Sequence, residues 1–207
     1  MNPVCHLLVA THNEGKLREF QHLLSDLSFA LCSLGDFPAI RPVPETGCSF
    51  IENASLKAAR YATQAQLLTL ADDSGLEVAA LGGAPGVFSA RYGGAFASDT
   101  ERIDKLLAEL VATGAAERRA RFVSAVAIAS ADGKVLDVSL GICEGHIALA
   151  PRGSGGFGYD PVFIPNGYDL TFAELPAEIK NQISHRAQAL QGVRQYWQNL
   201  TGGSGAG

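Results

Sequence analysis

The sequence predicts an α/β protein built on a mixed β-sheet with flanking helices, and three observations predict it. Short apolar runs alternate with helical periodicities through the first half of the chain. Polar clusters follow directly on the predicted strands, the position at which open α/β sheets bind ligands. Two β-rich runs late in the chain flank Ala131-Asp132-Gly133, a good hairpin turn, so the sheet is not purely parallel.

Taken in order, Val4 to Ala10 is a short apolar strand that ends at Thr11-His12-Asn13-Glu14-Gly15-Lys16. Leu17, Phe20, Leu23 and Leu24 then recur at helical spacing. Ser49-Phe50-Ile51-Glu52 is a capping-box pattern that opens an alanine-rich helix from Asn53 to Gln66. Leu67 to Ala71 reads as a buried strand running into Asp72-Asp73-Ser74-Gly75. A second capping box, Ser98-Asp99-Thr100-Glu101, starts a helix that reaches Ala112 and stops at Gly114. Phe122 to Ala129 and Val135 to Ile142 are strands, and Pro161 to Ile164 is a short one. Ser184 is placed to cap a last helix through Leu200, and residues 201–207 form a glycine-rich flexible tail.

A chain of 207 residues forms one domain, or two lobes around a shared core; residues 1–200 contain no linker. With 47% hydrophobic and 18% charged residues it is neither disordered nor a coiled coil. A net charge of −5 argues against a nucleic-acid partner bound through overall basicity. A phosphate-bearing ligand must therefore be small and held by a few placed cations. No apolar run approaches the roughly 20 residues that span a bilayer, so no membrane partner is expected. The four cysteines form no C-x-x-C pair, and the N-terminus lacks the pattern of a signal peptide. The expectation is a cytoplasmic, disulfide-free protein, with Cys5 a buried free thiol.

Four clusters offer chemistry. Thr11 to Lys16 precede a helix, whose free N–H groups and dipole favour an anion, although the same residues suit an ordinary capped turn. Asp72 and Asp73 suit a hard cation such as Mg²⁺ or general-base work on water, or else they cap a turn. In a strand they face opposite ways and so do different jobs. Glu45, in the loop Pro44-Glu45-Thr46-Gly47, is a carboxylate able to join them, and alone it reads as solvent-facing. Gly155-Gly156-Phe157-Gly158-Tyr159-Asp160-Pro161 combines close backbone approach with two aromatic stacking surfaces. Lys180, with Ser184-His185-Arg186 at the start of the last helix, supplies phosphate and carbonyl donors. Together these are the parts of a nucleoside triphosphate site.

Six ordered motifs then make a specific resemblance. They are T-H-N-E-G-K at 11–16, E-T-G-C-S-F-I-E-N-A at 45–54, A-D-D-S-G-L at 71–76, L-G-G-A-P-G-V-F-S-A-R-Y at 81–92, G-G-F-G-Y-D-P-V-F at 155–163 and S-H-R-A-Q-A-L at 184–190. The set resembles the inosine triphosphate pyrophosphatase family, the dITP/XTP pyrophosphatases that clear deaminated purine nucleotides. The resemblance implies an inosine triphosphatase-like fold, an elongated mixed β-sheet with flanking helices forming two lobes around a central cleft, together with a homodimer and Mg²⁺ as cofactor. It implies hydrolysis of dITP, ITP and XTP to the monophosphate and pyrophosphate. By the same resemblance Thr11, His12, Asn13, Glu14, Gly15 and Lys16 form a phosphate loop. Asp73 is general base and metal ligand, Glu45 a second metal ligand, and Ser74 a substrate contact. Phe157, Gly158, Tyr159, Asp160, Lys180, His185 and Arg186 are nucleotide contacts. Pro44 stands where many relatives carry a second acid, and His12 where glycine is common.

On this reading Lys16 and Lys180 stabilise charge on the triphosphate. A donor from Arg186, or from the backbone near His185, aims at O6 of the base and rejects adenine. A pyrophosphatase for other altered nucleotides and a non-catalytic nucleotide sensor are the rivals.

Overall fold

The computed structural model describes residues 5–94 and 96–202. Six strands form one mixed sheet in the order β2-β1-β3-β4-β5-β6. Their ranges are β1 Cys5–Val9, β2 Phe29–Ser33, β3 Leu68–Val78, β4 Arg119–Ala129, β5 Val135–Ile147 and β6 Phe163–Pro165. The helices are α1 Glu14–Leu23, α2 Phe50–Ala65, α3 Asp99–Ala112, α4 Ala177–Ile183 and α5 His185–Gly202. Strand β1 pairs in parallel with both β2 and β3, whereas β6 runs antiparallel to β5. The mixed α/β architecture expected from the sequence is therefore observed.

The chain divides into two compact units. The first is formed within Met1–Asp73, Ser124–Gly141 and Arg186–Gly207, and the second within Ser74–Val123 and Ile142–His185. In the first, Leu7, Val9 and Leu70 of the parallel strands pack with Phe20 and Leu24, with Val126 and Ile128 of β4, and with Ala189, Leu190 and Val193 of α5. Strands buried on both faces read as unbroken apolar runs, and that is why Leu7-Leu8-Val9 was legible. In the second, Leu76, Val78, Phe122, Ile147, Phe163 and Phe172 pack with Ile103, Leu106 and Leu110 from the apolar stripe of α3.

The helix starts follow their signals with one difference. Ser98 and Glu101 close a reciprocal capping box on α3. At α2 the Ser49 hydroxyl accepts from the Glu52 N–H at 3.2 Å, but the Glu52 carboxylate accepts from Cys48 N at 2.7 Å, one residue further back than a box requires. The turn after β4 forms as expected, with Gly133 at φ +86.

Several boundaries depart from expectation, among them β6, which begins at Phe163 rather than Pro161 because Asp160–Val162 forms a 3-10 turn. Strand β3 does not end at Ala71 but runs through both aspartates to Val78. Strands β4 and β5 extend to Arg119 and Ile147. Strand β2 and helix α4 carry no local signal that was read. Lys180 consequently lies in α4, and Ser184 stands between α4 and α5, directly before the first residue of the last helix as expected. Of the expected tail, 201 and 202 belong to α5, while 203–207 lie outside the described residues. All four cysteines are free, but Cys5 is only half-buried because it opens its strand; Cys143 is the buried one. Among the described residues no helix is long and apolar enough to cross a membrane.

Candidate active site

The first unit gathers an unusual density of buried charge around consecutive residues of β3. The Asp72 side chain has no exposed surface. Its Oδ2 accepts from Lys16 Nζ at 2.6 Å and lies 3.9 Å from Arg186 Nε, and its Oδ1 accepts from Ser124 Oγ at 2.5 Å. Burial pushes this carboxyl up, but Lys16, Arg186 and the two hydrogen bonds outweigh it and hold Asp72 far below the usual carboxylate range. Burial pulls Lys16 down despite Asp72, with Arg186 and Lys57 acting in the same direction. Arg186 is held in turn by Glu19 of α1, Nη1 to Oε2 at 2.7 Å.

Asp73 meets a different set. Its Oδ2 accepts from Asn53 Nδ2 at 3.0 Å, and its Oδ1 lies 3.4 Å from Lys57 Nζ. The same Lys57 ammonium donates to Glu45 Oε1 at 2.6 Å, so one buried cation joins both carboxylates that the motifs single out. Burial raises Asp73 above an ordinary aspartate, Lys57 opposing and Glu45 adding to the shift. Lys57 is itself lowered by burial, yet held above its ordinary value on balance by Asp73 and Glu45. Asn53 is aimed by the Gly47 N–H, which donates to its Oδ1 at 2.8 Å. A Cβ on Gly47 would sit 2.7 Å from Glu52 Cβ and 2.8 Å from that oxygen, so only glycine fits between loop and helix.

The loop 11–16 is a capped helix start. Thr11 Oγ1 accepts from Asn13 N at 3.1 Å, and Asn13 Oδ1 accepts from Lys16 N at 2.9 Å. Glu14 is exposed and lies 3.6 Å from Arg18, while Gly15 is buried within the first turn of α1. His12 is exposed, with Nε2 3.5 Å from the Tyr61 hydroxyl. The anion-favouring helix terminus and the capped turn are thus one structure here, and Lys16 points back to Asp72.

In the second unit, Lys180 is buried, donates to Asp160 Oδ2, and lies 5.0 Å over the Phe157 ring and 5.5 Å over Phe172. The same Asp160 oxygen accepts from the Phe157 N–H at 2.8 Å. Gly156, at φ +70, leaves no room for a side chain, because a Cβ there would overlap Asp160 Oδ2. Gly155 N donates to Ala173 O at 3.0 Å, and Gly158 N to Asp99 Oδ2 at 2.7 Å. Tyr159 is buried, its hydroxyl donating to Ser89 O at 3.0 Å. Of the two aromatics expected to stack on a base, Phe157 is half-buried and Tyr159 buried. His185 stacks on Phe122, with centroids 4.6 Å apart at 10°. Ser74 is half-buried and belongs to this unit.

Asn53, Lys57, Ser124 and Glu19 were not anticipated. For the first two a signal existed: polar residues at i and i+4 inside the stripe Phe50, Ala54, Ala58, Tyr61 that α2 buries. Ser124 and Glu19 carry no such mark.

Glu45 and Asp73 form a hard, oxygen-only donor set that already shares a cation, the Lys57 ammonium. That chemistry fits Mg²⁺, which takes one or two carboxylates and completes its shell with water and substrate phosphate. Among the described residues no cluster of three or more His, Cys, Asp or Glu side chains is arranged to hold a metal alone.

An α/β protein whose adjacent buried aspartates on β3 are met by Lys16 from α1 and Lys57 from α2 has the charges to handle a cation and a phosphate-bearing ligand together. The comparisons narrow this reading. The Ham1 family model matches residues 7–196, and the chain belongs to that family. The dITP/XTP pyrophosphatase of Geobacillus kaustophilus is 48% identical over 199 residues, covering 96% of this chain and 97% of that protein. That of Methylococcus capsulatus is 48% identical over 198 residues, covering 95% and 98%. Among solved structures, the Ham1 protein of Coxiella burnetii superposes with a TM-score of 0.85 at 43% identity, covering 93% of this chain and 98% of that one. The Staphylococcus aureus Ham1 protein gives 0.83 at 37% identity, covering 94% and 99%.

Proposed function

We propose that this protein is a dITP/XTP pyrophosphatase, hydrolysing deaminated purine nucleoside triphosphates to the monophosphate and pyrophosphate and so keeping deaminated bases out of DNA and RNA. The observation that carries the reading is end-to-end relationship, at nearly half identity, to enzymes bearing that name. The reaction is attack of water on the α-phosphorus with pyrophosphate leaving. Asp73 serves as general base: burial raises its proton affinity, which suits a group that must take a proton from water near neutral pH. Asn53 fixes Oδ2, while Oδ1 faces the Lys57 ammonium at 3.4 Å. Lys16, backed by the buried Asp72, presents a positioned charge to phosphate oxygens, and in phosphoryl transfer such positioning carries most of the catalysis. Mg²⁺ held by Glu45 and Asp73 would neutralise phosphate charge and lower the pKa of a bound water. By the family resemblance, Phe157, Lys180 and His185 are nucleotide contacts.

Two wider features belong to the proposal. The four free thiols suit the reducing cytoplasm. The largely exposed side chains of Phe88 and Leu149 suit an interface with a second copy, the homodimer of the family resemblance.

A steady-state panel of dITP, XTP, dATP and dGTP, with and without Mg²⁺, tests the reading. Pyrophosphate release from dITP and XTP should exceed that from dATP by roughly 10²-fold or more, since two reversed buried polar contacts disfavour adenine. Equal rates on all four, or release of orthophosphate, would sink it.

A further inference from the structure

Lys57 occupies a position that the apolar stripe of its helix does not explain. It lies in the buried stripe of α2, its side chain only 10% exposed, with its ammonium between Glu45 Oε1 at 2.6 Å and Asp73 Oδ1 at 3.4 Å. A lysine at that point of an amphipathic helix forfeits the apolar burial its neighbours Ala54, Ala58 and Tyr61 obtain. It is retained against that cost by two carboxylates, which without it would repel each other in a poorly solvated place.

We propose that Lys57 is a resident counter-ion for the Glu45–Asp73 pair, a covalently attached cation that a divalent metal ion must displace. The proposal rests on reading those two carboxylates as metal ligands. Its logic is competition for one place: the ammonium and a hard cation use the same oxygens, and two cations cannot share them at contact distance. The lysine stem is long and flexible, so a displaced ammonium needs a new anion within its reach. The phosphate oxygens of a nucleotide are such an anion. Metal and triphosphate are therefore coupled, each weak without the other, because the triphosphate receives the charge that the metal evicts. Lys57 is in this sense a positioning residue for metal entry as well as a counter-charge.

The test reads metal binding directly and without turnover. Mn²⁺, as a Mg²⁺ probe, is titrated into the nucleotide-free protein and the free ion is counted by its electron paramagnetic resonance signal. Lys57→Met, which keeps volume and removes charge, should bind Mn²⁺ at least about tenfold more tightly than the parent, and Lys57→Arg should not. Should Lys57→Met fold too poorly to titrate, Lys57→Gln with Mn²⁺ read by calorimetry replaces it under the same expectation. A Lys57→Met protein that binds Mn²⁺ no more tightly, while Glu45→Gln abolishes binding, overturns the counter-ion proposal and leaves the metal ligands standing. Binding unchanged by Glu45→Gln and by Asp73→Asn overturns both together.

Discussion

Asp72 and Asp73 are consecutive in one strand and accept from different side chains. Asp72 accepts from Lys16 and Ser124, and Asp73 from Asn53 and Lys57. The two-residue repeat of a strand sends them to opposite faces, and opposite surroundings drive their proton affinities apart. One is a fixed charge and the other a group able to exchange a proton.

Neutralising each aspartate should therefore have opposite consequences. Asp72→Asn leaves Lys16 and Arg186 buried without their carboxylate and should lower unfolding free energy by about 3–5 kcal/mol. Asp73→Asn should leave stability within about 1 kcal/mol of the parent and lower kcat by about 10²-fold or more. Urea melts and steady-state kinetics on dITP check both. An Asp73→Asn protein with near-parental kcat would remove the general-base role.

Gly156→Ala tests the second unit. The added methyl would overlap Asp160 Oδ2, the atom that receives both Lys180 and the Phe157 N–H, at a backbone φ of +70. The expected cost is about 2–4 kcal/mol, from left-handed strain and a broken buried ion pair together. Gly158→Ala, at φ +61 but with open space around it, should cost only about 1 kcal/mol. Thermal melts of the two variants side by side separate crowding from strain.

Arg186 is committed to Glu19 and lies near Asp72. Arg186→Ala should consequently lower stability by about 2–4 kcal/mol and reduce kcat/KM for dITP and dATP by the same factor. A selective gain for dATP would instead return the guanidinium to base reading.

Alkaline stability should carry the signature of Cys143. Burial pushes its thiol up to about 12, with Glu144 adding to the shift. In the unfolded chain a thiol titrates near about 8.5. The folded state thus binds that proton more tightly, so the contribution is complete below about pH 8 and is lost as pH rises toward about 12. Tyr159, also raised by burial, acts in the same sense. Urea unfolding between about pH 8 and pH 11 should show a decline that Cys143→Ala makes shallower. At neutral pH, iodoacetamide should modify the exposed Cys48 long before Cys143.

What could be read from the sequence was whatever rests on local chemistry. The caps Ser49 and Ser98, the apolar run of β1 and the turn at Gly133 announce themselves within a few residues. Strand β3 was cut short at Ala71 because two adjacent aspartates look like a strand's end. They remain in the strand since Lys16, Asn53, Lys57 and Ser124 supply their charges and hydrogen bonds from segments 16 to 56 positions away. Such partners leave no local trace, and the same holds for Glu19 with Arg186, 167 positions apart. The short α4 carries no periodic signal because seven residues hold barely two turns.

The glycine-rich segment before Asp160 has a thermodynamic consequence. Glycines are usually equated with looseness, yet Gly153 at φ +77 is wedged so that a Cβ would lie 2.5 Å from the Ala173 carbonyl carbon, and the segment is tied to Ala173 and Asp99. Here they permit tightness. The ordering entropy of roughly 1–2 kcal/mol per residue is incurred once, when the chain folds. A ligand that meets this wall loses its own freedom but does not have to freeze the protein's. Calorimetry should accordingly find a heat-capacity change matching the apolar area the ligand covers, without the excess that marks a segment folding around its guest.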